Sequence, residues 1–151
     1  MRTLVVFYSR KGATKRIAVM IAEQLDADTY EIREQDRKRG LMRRVTSVLS
    51  RRIAIVPYEG SLGSYDRVVL CTPIKHGRIA LPMCAFLTAY GKTISRVVYV
   101  FVKRVMSRDY PECITAMDEL IGRTFESAIF LNASNEDALH DIKKFVNNLA
   151  T

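Results

Sequence analysis

Near the start of the chain, Ser9-Arg10-Lys11-Gly12-Ala13-Thr14 places hydroxyls, cations and a glycine in an order that suits an oxyanion. An apolar, β-rich run at residues 3–8 precedes it. The helical spacing Ile17, Ala18, Ile21, Ala22, Leu25 follows it. The first N–H groups of a helix have no intrahelical acceptor and sit at the positive end of its dipole, so a phosphate there satisfies both. Gly12 permits close backbone approach, Ser9 and Thr14 offer hydroxyl donors, and Arg10 and Lys11 add charge. Neither the Gly-Lys-Ser/Thr of a nucleotide P-loop nor the Gly-x-Gly-x-x-Gly of a dinucleotide fold is present. The bland alternative is an ordinary helix start with surface cations.

The elements that must position this loop alternate along the whole chain. Residues 29–33 read as a weaker second strand, residues 67–71 and 96–102 as strands buried on both faces, and residues 127–131 as the last strand. Leu81–Tyr90 reads as a helix with Pro82 in its first turn. Pro111–Ile121 reads as another, started by Ser107 or Asp109 and stopped by Gly122. Ser134 and Asp137 form a capping box before a closing helix whose inner face is Leu139, Ile142, Phe145, Val146 and Leu149. A further apolar face at Leu41, Met42, Val45, Val48 and Leu49 implies a helix within a basic stretch. Five strands and about five helices fit one doubly wound α/β domain over 1–151. Its expected form is a three-layer α/β/α sandwich around a five-stranded parallel sheet of order 2-1-3-4-5. In such sheets ligands bind beyond the carboxyl ends of the strands, here the loops after the first, third and fourth.

Bulk composition sets bounds. At 151 residues, 48% hydrophobic and 26% charged, the chain has enough apolar content for one packed core. No apolar run reaches the roughly 18 residues of a membrane span, and the N-terminus does not read as a signal peptide. Cys71, Cys84 and Cys113 are odd in number and widely spaced, which argues against a disulfide framework or zinc site and for a reducing cytoplasm. The net charge is +8. Most of it falls in residues 33–52, where Arg33, Arg37, Lys38, Arg39, Arg43, Arg44, Arg51 and Arg52 face only Glu34 and Asp36. Such a segment suits an acidic protein, nucleic acid or another anion, or simply a solvated surface. No nucleophile–base triad can be assembled from the spacing, and His140 reads as a surface residue of the last helix.

The stretch Val5-Val6-Phe7-Tyr8-Ser9-Arg10-Lys11-Gly12-Ala13-Thr14, continuing to Ile21, resembles the flavodoxin signature at each constrained position. A second stretch, Tyr65 to Ile74 followed by Gly77-Arg78, Pro82 and Ala85-Phe86-Leu87, is similar to the third-strand region of small flavodoxin-family proteins. The resemblance implies a flavodoxin-like fold that binds FMN and serves as an electron carrier or flavin-dependent oxidoreductase. It implies that Ser9 to Thr14 hold the phosphate. Thr72, Pro73, Ile74, Lys75, His76, Gly77 and Arg78 would flank one side of the ring, and Lys103, Arg104, Ser107 and Tyr110 the other. Chemistry would belong to the flavin.

Two places depart from the family pattern. The ring-stacking position after Ile74 is commonly aromatic, and here Lys75-His76 stands instead. The loop after the fourth strand is usually small, whereas this one is Lys103-Arg104-Val105-Met106-Ser107-Arg108-Asp109-Tyr110. Lys75-His76-Gly77 and Lys103-Arg104 are also similar to the flavodoxin-like protoporphyrinogen oxidase branch, but this chain lacks that branch's long insertion before the final helix. The expected partner is a redox protein, acidic where charge governs, or a small-molecule acceptor. The alternative is a flavin-free module of the same fold that engages an acidic partner or nucleic acid through its basic segment.

Overall fold

Thr3–Phe7 (β1), Arg67–Lys75 (β3) and Val97–Lys103 (β5) are rich in β-branched and aromatic residues and take the sheet's interior places. A computed structural model of the chain describes residues 1–35, 53–103, 108–133 and 137–150. Asp28–Glu31 (β2) and Ser127–Asn132 (β6) complete the parallel sheet in the order β2-β1-β3-β5-β6, the doubly wound arrangement expected. A sixth strand was not anticipated. Arg78–Ile79 (β4) turns back antiparallel on the end of β3.

Strand β3 also runs further than its apolar core suggested, carrying Thr72, Pro73 and Ile74 inside the sheet. Pro73 is tolerated there for a geometric reason. Tyr8 N–H donates to the carbonyl of Cys71 at 3.2 Å, so the nitrogen of Pro73 faces the β1 side, one position past the end of that strand.

Four α-helices among the described residues cover the two faces: Ala13–Leu25 (α1), Leu81–Tyr90 (α2), Pro111–Ile121 (α3) and Ala138–Ala150 (α4). Alternation along the strands sorts the core. Val68, Leu70, Tyr99 and Phe101 pack with Met83, Phe86, Leu87, Met117 and Ile121 from α2 and α3. Val69, Cys71, Val98 and Val100 pack with Ile17, Ile21, Ile142 and Phe145 from α1 and α4. Gly122 ends α3 in the left-handed conformation, as its position predicts. Tyr110, rather than Ser107 or Asp109, stands at the N-cap of α3 and makes no side-chain capping bond. Leu139, expected on the inner face of α4, is 44% exposed. The proposed helix at 41–49 and the Ser134 half of the capping box lie outside the described residues.

Two polar devices tie the layers together. The fully buried Tyr99 on β5 donates its hydroxyl to Asp118 Oδ1 of α3 at 2.6 Å, and the same oxygen accepts the Phe125 N–H at 3.1 Å. Burial, then this bond, pushes the Tyr99 phenol well above its ordinary range. Tyr99→Phe is expected to cost about 1.5 kcal/mol of unfolding free energy, because a bond to a charged acceptor disappears while the ring remains. Urea denaturation measures it, and a loss below about 0.5 kcal/mol contradicts this account. At the amino end of the sheet, Arg67, with only 5% of its side chain exposed, bonds Glu126 Oε1 at 3.0 Å and the Leu149 carbonyl at 3.3 Å.

Candidate functional site

The anion loop has the local geometry its sequence predicts. Strand β1 ends at Phe7, and the chain turns through Ser9 to Gly12 before α1 begins at Ala13. The Ser9 Oγ accepts the Gly12 N–H at 3.0 Å and closes the turn, and its hydroxyl hydrogen is left to donate. Gly12 sits at φ +99°, a left-handed conformation that glycine adopts at little steric cost. The direction a Cβ would take from Gly12 meets no atom of the described residues within 4 Å. Among the described residues, the N–H groups of Ala13, Thr14 and Lys15 find no acceptor; the first helical bond is Arg16 N–H to the Gly12 carbonyl at 3.0 Å. Arg10, Lys11, Gly12 and Ala13 are exposed, whereas Thr14 is buried at 3% exposure. Unpaired amides, a left-handed glycine and two flanking cations fit a phosphate.

The loop after β3 is a tight hairpin. Ile74 pairs with Ile79 and Lys75 with Arg78, leaving only His76 and Gly77 at the tip. Both have positive φ, +54° and +72°, which defines a type I′ turn. Thr72 lies inside the sheet with zero exposure, and its Oγ1 accepts the Ala80 N–H at 3.3 Å, so its hydroxyl serves the chain just before α2. Ile74 is buried and Pro73 half-buried, while Lys75, His76 and Arg78 are exposed along the hairpin.

Tyr110 meets this hairpin directly. A Cβ on Gly77 would lie 3.2 Å from the Tyr110 ring, and the Cys113 thiol donates to the Gly77 carbonyl at 3.3 Å. The Arg108 guanidinium stands 4.6 Å from the Tyr110 ring centroid and pairs with Glu112 at 2.7 Å. Lys103 pairs with Asp109 at 2.9 Å. Arg104 and Ser107 lie outside the described residues. The candidate segments after β3 and β5 thus come together as one rim, with a tyrosine face already covered by a guanidinium. Sequence reasoning missed Cys113 as the anchor of the hairpin. The two residues between Lys75 and Arg78, ending in glycine, were the available signal for the turn.

A cleft of about 300 Å³ lies elsewhere, beyond β1 and β2, lined by Tyr8, Ser9, Arg10 and residues 31–34. The Tyr8 hydroxyl donates there to Glu34 at 3.0 Å, and burial, then that carboxylate, pushes the phenol up. Of the anion-loop residues only Ser9 and Arg10 reach this cleft, so the open amides of α1, not the cleft, define the candidate site. Cys71 is fully buried and its thiol is pushed far up by that burial, which makes it a small core residue. Among the described residues no cluster of His, Cys, Asp and Glu could hold a metal, and no helix is long and apolar enough to cross a membrane.

No family model matches the chain, and no curated protein matches it by sequence. Solved structures do. A candidate flavoprotein from Bacteroides uniformis ATCC 8492 superposes with a TM-score of 0.76 at 20% identity, covering 97% of both chains. A flavoprotein in complex with FMN from Lactobacillus acidophilus NCFM gives 0.68 at 17% identity over 93% of this chain and 96% of that one. The flavodoxin of Streptococcus pneumonia TIGR4 gives 0.64 at 16% identity over 99% and 98%. With the observed strand order, these likenesses show that the chain has the flavodoxin-like α/β fold.

Proposed function

We propose that the chain binds FMN at the carboxyl end of its sheet and works as a flavodoxin-like redox protein. The observation that carries this reading is the turn at Gly12, whose left-handed backbone leaves three helix amides and a clear approach beside Arg10 and Lys11. The solved FMN complex with the same fold supports it. A bound flavin supplies electron transfer; the protein supplies binding, orientation and access. In this reading residues 9–14 hold the phosphate, and Lys75, His76, Gly77, Arg78 and Tyr110 border the ring. Lys103 acts through Asp109, and Thr72 and Ile74 support the hairpin from below.

Titration tests it by a change in visible absorbance. FMN is expected to bind at micromolar or lower concentration, and riboflavin at least about tenfold more weakly, since only FMN carries the phosphate; tenfold is 1.4 kcal/mol. Riboflavin binding as tightly as FMN, or no FMN uptake at tens of micromolar, rejects the reading.

One observation favours a second reading. Tyr110 rests on Gly77 with Arg108 against its ring, so that ring face is already covered by a guanidinium. The fold would then serve as an anion-binding module without flavin. Calorimetric binding of inorganic phosphate by a protein that ignores FMN selects that reading.

A further inference from the structure

Among the described residues, the carboxyl end of the sheet carries more positive charge than its carboxylates neutralise. Glu31 pairs with Arg33 at 3.1 Å and with Lys15 at 3.9 Å. Asp109 is engaged by Lys103 and Glu112 by Arg108. Arg10, Lys11, Lys75 and Arg78 are all exposed, and among the described residues none of the four has a carboxylate within ion-pair distance. The register brings them to one place. Phe7 lies beside Cys71, so the 10–11 loop and the 75–78 hairpin rise from adjacent strands.

We propose that this rim is the docking face for an acidic protein, the redox partner of the bound flavin; the proposal rests on the flavin reading above, in which Arg10 and Lys11 face the phosphate and the exposed Lys75 and Arg78 carry the docking charge. At physiological salt the screening length is about 8 Å, so cations on neighbouring loops act together on an approaching surface. The cations are also held in place. Lys75 and Arg78 flank a type I′ turn pinned by the Cys113 thiol and the Tyr110 ring, and Arg10 and Lys11 lie in a turn closed by Ser9. Such preorganisation lowers the ordering cost of association.

A protein fits this rim better than a nucleic acid does. Glu31, Asp109 and Glu112 are interspersed among the cations, which a protein surface of mixed charge accommodates and a continuous phosphate track does not. The aromatic ring at the rim, Tyr110, has Arg108 against it and offers no platform for stacking bases.

The test uses the full chain saturated with FMN and a fluorescently labelled poly-L-glutamate probe, read by anisotropy at low salt and again at about 0.15 M. The double substitution Lys75→Glu/Arg78→Glu is expected to weaken probe binding at least about tenfold and to flatten its salt dependence. Lys92→Glu/Arg123→Glu makes the same change in net charge at the opposite end of the sheet, where both residues are exposed, and is expected to change binding less than about twofold. Equal losses from the two pairs, or binding that survives Lys75→Glu/Arg78→Glu, overturns the placement. A single-stranded DNA oligonucleotide that binds more tightly than polyglutamate at matched salt overturns the partner class. FMN uptake is read on the same samples. Probe binding that depends on Lys75 and Arg78 in a chain taking up no flavin removes the flavin reading and keeps the docking face; flavin uptake without probe binding does the reverse.

Discussion

Gly12→Val is expected to lower FMN affinity at least about a hundredfold, or 2.7 kcal/mol, while the helix behind it persists. Two effects combine. At φ +99° a β-branched residue is strained, at a cost on the order of 1–3 kcal/mol that the turn can relieve only by moving. The new side chain also projects into the open space before the helix amides, where the phosphate oxygens would sit. Helix α1 is held by Ile17, Ala18, Ile21 and Ala22 in the core, so far-ultraviolet circular dichroism should barely change. Gly12→Ala, with one methyl group and no β-branch, is expected to fall between the variant and the parent. Gly12→Val protein that takes up FMN within about threefold of the parent's affinity would place the phosphate elsewhere.

Glu126→Ala is expected to cost about 3 kcal/mol of stability, the low end for removing one partner of a buried ion pair. Arg67 has only 5% of its side chain exposed and, among the described residues, its Nε already lacks a partner; without Glu126 the guanidinium keeps only the Leu149 carbonyl among them. The low end is appropriate because Glu126 is 28% exposed, so water can partly replace it. Urea denaturation at neutral pH measures the loss, and a change below about 1 kcal/mol refutes a strained Arg67. The pH dependence has a definite sign. Burial raises the Glu126 carboxyl, but bonds from Arg67 and Arg96 outweigh that and hold it below its ordinary 4.5. A depressed carboxyl binds fewer protons folded than unfolded, so its contribution is complete above the ordinary value and is lost as pH falls through the folded one. Parent and variant should therefore converge in stability under acid conditions.

The strands were legible because burial on both faces leaves near-continuous apolar runs, as in residues 67–71 and 97–102. The strand–turn–helix at residues 3–25 was legible for a related reason: everything it needs is local in sequence. The hairpin was not. Its signature is two residues of positive φ; Gly77 supplies half of it, and histidine at the first place is a weaker mark than the Asn, Asp or Gly such turns favour. Thr72 looked like a ligand residue because a hydroxyl at a strand end is ambiguous until a neighbouring N–H claims it, and here Ala80 does. Leu139 fitted the helical spacing, yet it lies in the first turn of α4 and is exposed, and burial begins with Ile142. The meeting of Tyr110 with Gly77 joins segments far apart in the chain, and no local pattern encodes such a contact.

Pro73 has a consequence for how the molecule opens. A parallel ladder zips rung by rung, and after the Tyr8–Cys71 rung the next would need a hydrogen on the nitrogen of residue 73. Proline has none, so the seam between β1 and β3 stops there and the two chains part, one toward Gly12 and the other toward the hairpin. The β1–β3 seam thus ends one rung short, where residue 73 has no hydrogen to give.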